Sequence, residues 1–277
     1  MNIPKYIDEF RNEVTRKGFR KNTIENYCSC LGLFLKHFDS TITEPKKIND
    51  QQIKQYLGSF KSRNTQRAQH SAIKCFFKYT LHQPNKFKYI EYAKQENRLP
   101  IVFSVDEMQR LINAVENTKH KAIICLMYSV GLRVGEIINL KIENIDSSRM
   151  IINIRDAKGG FDRQVPLDDS LLNLLRKYFK EYKPKEYLFN GQFDIKYSER
   201  SVQQFLQKYT KLAGINKHVH PHLIRHNCAT HMVEEGTDIN LIQKILGHKN
   251  VKTTNIYLHV SDNHIRKIKT PLRNIKI

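Results

Sequence analysis

Hydrophobic residues recur every three or four positions through the first third of the chain, with polar residues between them. This spacing places apolar side chains on one face of an α-helix. Four helices are predicted: one beginning near Pro4, one capped by Asn22, one opening at Asn49 or Asp50, and one from about residue 64 to 81. The periodicity stops near residue 90. The pattern therefore predicts a helical domain over residues 1–90 and a linker over residues 91–100.

A second hydrophobic pattern begins after the linker. Ser104 with Glu107 predicts a capping box, and the apolar helix of residues 120–130 is ended by Gly131. Two runs of β-forming residues, 150–154 and 164–167, flank a glycine-containing turn and predict a hairpin. Amphipathic helices follow at 169–182 and 198–213. Residues 101–277 thus read as a second domain, in a fold that is mostly α with a small antiparallel β-sheet.

The stretch from residue 218 to 259 has the clearest start and stop signals. Pro221 suits a first helical position and Gly236 a left-handed end, while Asp238 caps a second helix that Gly247 ends. A third segment, residues 251–260, follows. Since residues three apart share a helix face, His222 and Arg225 are expected to point at one target.

The net charge of the chain indicates which class of molecule the protein binds. The 277 residues carry a formal net charge of +20, and 40% of them are hydrophobic, so a charged protein with a real core is expected. Residues 51–90 contain no acidic residue. A one-sign surface of this kind favours contact with phosphates over plain solvation. The predicted DNA-binding side chains are Lys54, Lys61, Arg63, Arg67, Lys74 and Lys78.

Cysteine usage and hydropathy suggest a compartment. The five cysteines form no C-x-x-C pair and are interpreted as reduced thiols of a cytoplasmic protein. The first residues, MNIPKYIDEF, lack the apolar region of a signal peptide. The longest apolar run, near residues 122–132, is too short to span a membrane, so no membrane partner is expected.

Several side chains could together transfer a phosphodiester without a metal. Paired arginines can hold the phosphate oxygens that gather charge in the transition state, and Arg133 and Arg225 are candidates. Tyr257 is a feasible nucleophile, with His222 one turn from Arg225 as its base. Lys158, near a hairpin tip, is the candidate acid for the leaving oxygen.

Two further residues complete the candidate set. His248 can donate a hydrogen bond to the phosphate, and Glu136, one turn after Arg133, can orient a catalytic partner. Spacing alone does not bring these residues together. Taken singly, each residue favours a structural interpretation: Lys158 a solvated loop lysine, Arg133 a surface arginine and Tyr257 a packed core tyrosine.

The order of the motifs resembles the tyrosine recombinase (phage integrase, Xer-like) family. The matching stretches are GLRVGEI, AKGG, PHLIRH, LGH and TTNIYLHV, with SVDEM before them and KTPL near the end. The resemblance covers residues 98–277 by motif and residues 1–97 by position and helical pattern. Leu258 departs from the family, where a threonine commonly follows the tyrosine.

The resemblance implies a specific activity. Family members cleave and rejoin DNA through a 3′-phosphotyrosine intermediate, need no metal, ATP or other cofactor, and exchange strands within a tetramer on synapsed DNA sites, in some cases with accessory proteins. Their C-terminal tail often docks on a neighbouring protomer, here residues 261–277. The residues that match the catalytic set are Arg133, Lys158, His222, Arg225, His248 and Tyr257. The two domains are expected to close around duplex DNA as a clamp.

Three alternatives stay open at this point. His222 and His226, four residues apart, could chelate the metal of a nuclease, although no H-E-x-x-H pattern is present. A type IB topoisomerase would share the chemistry without synapsis. A DNA-binding protein without catalysis would use only the basic surface.

Overall fold

A computed structural model describes residues 1–91, 101–155, 162–191, 196–248 and Thr254. The chain divides into two compact units, Met1–Arg98 and Leu99–Ile277. None of the helices in the described part is long and apolar enough to cross a membrane.

The first unit is a packed set of helices joined by short turns. Its longer helices are α1 (Ile3–Arg16), α2 (Lys21–Phe38), α3 (Asp50–Gly58) and α4 (Arg63–Tyr79), with 3-10 turns at Pro45–Lys47 and Pro84–Phe87. Asn49 caps α3 in a capping box with Gln52, as predicted. The predicted cap at Asn22 is wrong: α2 already begins at Lys21, and the preceding Arg20 makes no side-chain capping bond.

Aromatic rings fill the core of the first unit. Phe34 on α2 is fully buried and meets Tyr56 of α3 and Phe77 of α4 edge to face, with ring centres 5.2 and 6.4 Å apart. Edge-to-face contacts add to the free energy gained by burying the rings. This core fixes the exposed side of α4, where most of the predicted DNA-binding residues lie.

The second unit contains seven helices in its described part. They are α5 (Val105–Asn113), α6 (Thr118–Ser129), α7 (Val134–Asn139), α8 (Asp169–Tyr182), α9 (Glu199–Leu212), α10 (Pro221–Glu234) and α11 (Ile239–Leu246), with a 3-10 turn at Ile142–Asn144. The predicted capping box of Ser104 and Glu107 opens α5. As expected, Pro221 begins α10 and Asp238 caps the start of α11.

A three-stranded antiparallel sheet accompanies these helices. Its strands are β1 (Ile145–Asp146), β2 (Ile151–Ile154) and β3 (Arg163–Pro166), in the order β1-β2-β3. Ile152 pairs with Val165, and Ile154 pairs with Arg163. The sequence missed β1, whose two residues are too few to show alternation. The predicted fold class, mostly α with a small antiparallel sheet, is confirmed.

Helix α6 runs through the core of the second unit. Its buried residues Ala122, Ile123, Ile124, Leu126 and Met127 are fully inaccessible, which explains why this stretch lacks a polar face. Gly131 follows α6 with a φ of +62°, a conformation that glycine adopts without steric cost. A Cβ at Gly131 would collide with the side chain of Leu246 on α11, so the chain turns here in close contact with the end of α11.

Candidate active site

The C-terminal end of α11 fixes the position of His248. Gly247 adopts a left-handed φ of +64°, and the amide of His248 donates to the carbonyl of Gln243 at 3.1 Å. The side-chain amide of Gln243 returns a hydrogen bond to the carbonyl of His248 at 3.0 Å. This Schellman-type end leaves the last carbonyls of α11 without partners inside the helix.

Two distant arginines converge on those carbonyls. Nη2 of Arg133 donates to the carbonyl oxygen of Gly247 at 3.3 Å. Arg225 on α10 donates from Nη1 to the carbonyl of Gly131 and from Nη2 to the carbonyl of Leu246. The negative end of the helix dipole favours cations at this place. Arg133 and Arg225, 92 residues apart in the sequence, therefore meet beside His248.

Glu136 forms hydrogen bonds and ion pairs with two arginines of this cluster. Its carboxylate accepts from the backbone amide of Arg133 at 2.9 Å and from Nη1 of Arg133 at 2.8 Å. Arg163 of β3 donates to both oxygens, at 3.0 and 2.8 Å. Burial by itself would raise the pKa of Glu136. The hydrogen bonds and charge of Arg163, followed by those of Arg133, outweigh burial and lower the pKa from 4.5 to about 2.

His248 lies in an electropositive, half-buried place. Burial, followed by the charges of Arg225 and Arg133, lowers its pKa from 6.5 to about 4. Nδ1 of His248 is 2.9 Å from the hydroxyl of Thr254, which is fully buried. The imidazole is thus neutral near pH 7, and Thr254 contacts a defined edge of its ring.

The first turns of α10 carry the histidines that precede and follow Arg225. His220 caps the helix by accepting from the amide of Leu223. His222 is exposed, and its ring centre is 6.5 Å from that of His226. Burial and then the charge of His222 lower the pKa of His226 to about 4. His222 therefore lies on the exposed side of the helix that holds Arg225.

His231, further along α10, forms hydrogen bonds that pack the helix against neighbouring parts of the second unit. Its Nε2 is 2.9 Å from the carbonyl of Phe103, and its Nδ1 is 2.8 Å from the hydroxyl of Tyr128. Asn227 accepts from the amide of Phe103 at 3.0 Å. These bonds hold the start of the second unit against α10, in keeping with a packing role for His231.

Two predicted catalytic residues, Lys158 and Tyr257, lie outside the described residues. Their neighbours are placed: β2 and β3 enclose the segment with Lys158, and Thr254 precedes Tyr257 by three residues. Within the described ranges no group of three or more His, Cys, Asp or Glu side chains is arranged to hold a metal ion.

Four of the six predicted DNA-binding residues form a stripe along α4 in the first unit. Arg63, Arg67, Lys74 and Lys78 lie on α4 at offsets of 4, 11 and 15 residues from the first. At about 100° per residue, these offsets keep all four within an arc of about 60°. Lys54 on α3 and Lys61 before α4 are also exposed.

Sequence reasoning missed two residues of the catalytic cluster. Arg163 shares the inward face of β3 with buried Val165, and a charged residue at such a position was a usable signal. Thr254 gave no signal, because its contact with His248 depends on the tertiary path of the chain.

Comparison with known proteins identifies the family. Residues 102–264 match the model of the phage integrase family, and residues 6–86 match the phage integrase N-terminal SAM-like domain. The chain belongs to the phage integrase family of tyrosine recombinases. The family predicted from the motifs is thereby confirmed. This tyrosine recombinase is an enzyme that cleaves and rejoins DNA.

Curated relatives and solved structures agree. Tyrosine recombinase XerA of Pyrococcus horikoshii is 34% identical over 266 residues, which cover 94% of this chain and 91% of the relative. Tyrosine recombinase XerC of Staphylococcus saprophyticus is 31% identical over 276 residues, covering 91% of each chain. A crystal structure of XerA recombinase matches with a TM-score of 0.59 and 30% identity over 99% of this chain and all of the other. A lambda integrase tetramer bound to a Holliday junction shares the fold, with a TM-score of 0.75 and 19% identity over 98% of this chain and 79% of the other.

Proposed function

We propose that this tyrosine recombinase carries out site-specific recombination of duplex DNA, with Arg133, Arg225, His222 and His248 serving the phosphate. The observation that carries the proposal is the meeting of Arg133 and Arg225 at the end of α11, next to His248. Preorganised cations in a half-buried place stabilise the charge that a phosphodiester develops during transfer. The arginines contribute this stabilisation without moving far, because backbone carbonyls already hold them.

The proposed reaction needs two proton transfers. The hydroxyl oxygen of Tyr257 attacks phosphorus, its proton passes to His222, and the bond from phosphorus to the 5′ oxygen breaks. Lys158 gives a proton to that leaving oxygen. A 3′-phosphotyrosine bond replaces the phosphodiester, so the reverse attack by a 5′ hydroxyl reseals DNA without an energy source.

The covalent chain supports attack by Tyr257 in its own active site. Thr254 is in contact with His248, and a three-residue chain limits the distance between the Cα atoms of Thr254 and Tyr257 to about 11 Å. A tether of that length allows the hydroxyl of Tyr257 to reach a phosphate held by Arg133 and Arg225. We propose cleavage in cis for this reason.

The first 90 residues are proposed to hold the duplex. The stripe on α4 presents cations along one side of that helix, and Lys54 and Lys61 are further exposed cations of the unit. Cations at that spacing neutralise phosphates without reading base sequence. With residues 91–100 as the linker, we propose that the units of 1–90 and 101–277 close around DNA as a clamp.

Assembly and compartment follow from the same activity. Strand exchange needs two DNA sites and four protomers, and lambda integrase, which shares this fold, is found as a tetramer bound to a Holliday junction. We propose the same tetramer here, acting in the cytoplasm, where reduced thiols persist. The family favours a recombinase over the topoisomerase alternative.

A covalent-trap assay tests this function. The protein is incubated with nicked suicide duplexes from its genomic neighbourhood, in EDTA, and products are separated on denaturing gels. We expect a protein–DNA adduct that Tyr257→Phe abolishes while duplex binding persists. An adduct that survives in Tyr257→Phe, or that needs a divalent metal, contradicts the proposal. Supercoil relaxation with no recombinant product from paired sites would instead favour the topoisomerase.

A further inference from the structure

Arg163 is the first residue of β3, and all three of its guanidinium nitrogens donate hydrogen bonds to other atoms of the protein. Nε donates to the carbonyl of Ile245 at 2.7 Å, and Nη1 and Nη2 donate to Glu136 at 3.0 and 2.8 Å. Its side chain is only 9% exposed. Because both Nη atoms bond to Glu136 and Nε bonds to Ile245, the guanidinium fork of Arg163 is directed at the protein and not at a phosphate.

Three arginines bind three consecutive carbonyls at the end of α11. Arg163 bonds to Ile245, Arg225 to Leu246 and Arg133 to Gly247. A Cβ on Gly247 would lie 3.1 to 3.2 Å from the end of the Arg163 side chain, so the guanidinium packs directly over this glycine. Arg163 thus belongs to the same cluster as the two proposed phosphate-binding arginines.

The charges in this cluster depend on Arg163. Glu136 contributes one negative charge, and Arg133, Arg163 and Arg225 contribute three positive charges, leaving a net charge of +2. Without Arg163, the net charge falls to +1. Among the described residues, Glu136 would then keep Arg133 as its ion-pair partner, and both carboxylate oxygens could turn onto that guanidinium. Bidentate arginine–carboxylate pairs are strong, so Arg133 would lose much of its attraction for a phosphate.

Arg163 also connects this cluster to the hairpin. It pairs with Ile154 at the base of the segment that contains Lys158. Its bonds to Glu136 and Ile245 tie that base to α7 and α11. One side chain therefore links three elements that are each adjacent in sequence to a proposed catalytic residue.

We propose that Arg163 is a positioning residue for DNA cleavage: by sharing Glu136, it keeps Arg133 cationic and directed at the phosphate, and it holds the base of the Lys158 hairpin in place. This inference rests on the proposed roles of Arg133 and Lys158. In this role Arg163 acts through Glu136 and the paired strands, and not by contact with DNA or the reacting atoms.

The test measures the rate of adduct formation in a single turnover. The test variants are Arg163→Met, Arg163→Met with Glu136→Gln, and Arg163→Lys. The control is Arg176→Met, which removes an exposed arginine on α8. Arg163→Met should slow adduct formation about tenfold or more, since a small misplacement of catalytic groups is costly. Duplex affinity, measured with Tyr257→Phe in each background, should change by less than about threefold because Arg163 makes no DNA contact. Arg176→Met should cleave at the wild-type rate.

The double variant distinguishes a positioning role of Arg163 from a role in supporting the fold. Removing the carboxylate with Glu136→Gln releases Arg133, so the double variant should cleave about fivefold or more faster than Arg163→Met alone. If Arg163 only supports the fold, a second change in the same buried cluster should slow cleavage further. A double variant no faster than the single one overturns the proposal.

Arg163→Lys keeps the test informative if Arg163→Met does not fold. Lysine retains the charge but not the planar fork, so it cannot serve both Glu136 oxygens and Ile245 together. We expect a folded protein with an intermediate cleavage rate, and a wild-type rate would overturn the proposal. If the wild-type chain forms no adduct dependent on Tyr257, the proposed function fails. If it does and Arg163→Met matches it, only the role of Arg163 fails.

Discussion

The hydroxyl of Thr254 lies 2.9 Å from Nδ1 of His248, and this contact joins the end of α11 to the segment that carries Tyr257. Thr254 is fully buried, so water does not compete for the bond. The bond fixes the orientation of the His248 ring, as a second partner of a histidine commonly does. Thr254 is therefore expected to influence cleavage without touching DNA.

Replacing Thr254 tests this link. Thr254→Val keeps the shape of the side chain and removes the hydroxyl, so the rate of adduct formation should fall by about tenfold as His248 loses its orientation. Thr254→Ser retains the hydroxyl and should stay within about threefold of wild type. Suicide-substrate cleavage measures both rates. Equal rates for the valine and serine variants would show that the Thr254 hydroxyl does not orient His248 for cleavage.

The protonation of His248 should depend on bound DNA. Its pKa of about 4 results from burial and the nearby arginine charges. A bound phosphate adds negative charge beside the ring and favours the imidazolium form. NMR titration of the Tyr257→Phe protein, with the signal assigned by its loss in His248→Asn, should give a midpoint near 4 without DNA and a clearly higher one with duplex. A midpoint unaffected by DNA would contradict contact with the phosphate.

The ion pairs of Glu136 should make stability depend on pH in the acid range. Its pKa falls from 4.5 to about 2 on folding, so the stabilisation is complete above pH 4.5 and is lost as the pH falls towards 2. A depression of that size corresponds to roughly 3 kcal/mol. In urea unfolding between pH 5.5 and 3, the gap between wild type and Glu136→Gln should narrow as the pH falls. A gap that stays constant would mean that Glu136 titrates normally.

Gly131 should be far less replaceable than another glycine with the same backbone conformation. Gly131 and Gly214 have φ values of +62° and +66°, but only at Gly131 would a Cβ meet other atoms. Gly214→Ala should cost about 1–2 kcal/mol from the left-handed backbone alone. Gly131→Ala adds overpacking against Leu246, for a total of at least about 2 kcal/mol, and should slow cleavage because Arg225 bonds to the Gly131 carbonyl. Denaturant unfolding and the adduct assay measure the two effects.

The stripe on α4 should govern the salt dependence of binding. Lys74→Gln with Lys78→Gln removes two cations from the stripe, so the slope of log affinity against log salt should become shallower by about two. Lys46→Gln with Lys47→Gln removes the same charge from an exposed turn elsewhere in the unit and should leave the slope nearly unchanged. Fluorescence anisotropy on a short duplex gives both slopes. Equal effects of the two pairs would indicate binding by net charge alone.

The sequence by itself determined most of the helices, several of their ends and the family. The capping box at Ser104, the start at Pro221 and the stops at Gly236 and Gly247 are local, because each depends on bonds between residues a few positions apart. The motifs around Arg133 and Arg225 indicated the chemistry for the same reason, since each lies within one short stretch.

Only the tertiary structure decided which side chains meet. No local rule places Arg133, Arg163 and Arg225 on consecutive carbonyls of α11, because that arrangement depends on how α7, β3 and α10 pack around its end. The short strand β1 and the contact of Thr254 with His248 were hidden for a related reason. Long-range hydrogen bonds leave no periodic trace in a sequence, whereas helix caps and buried faces do.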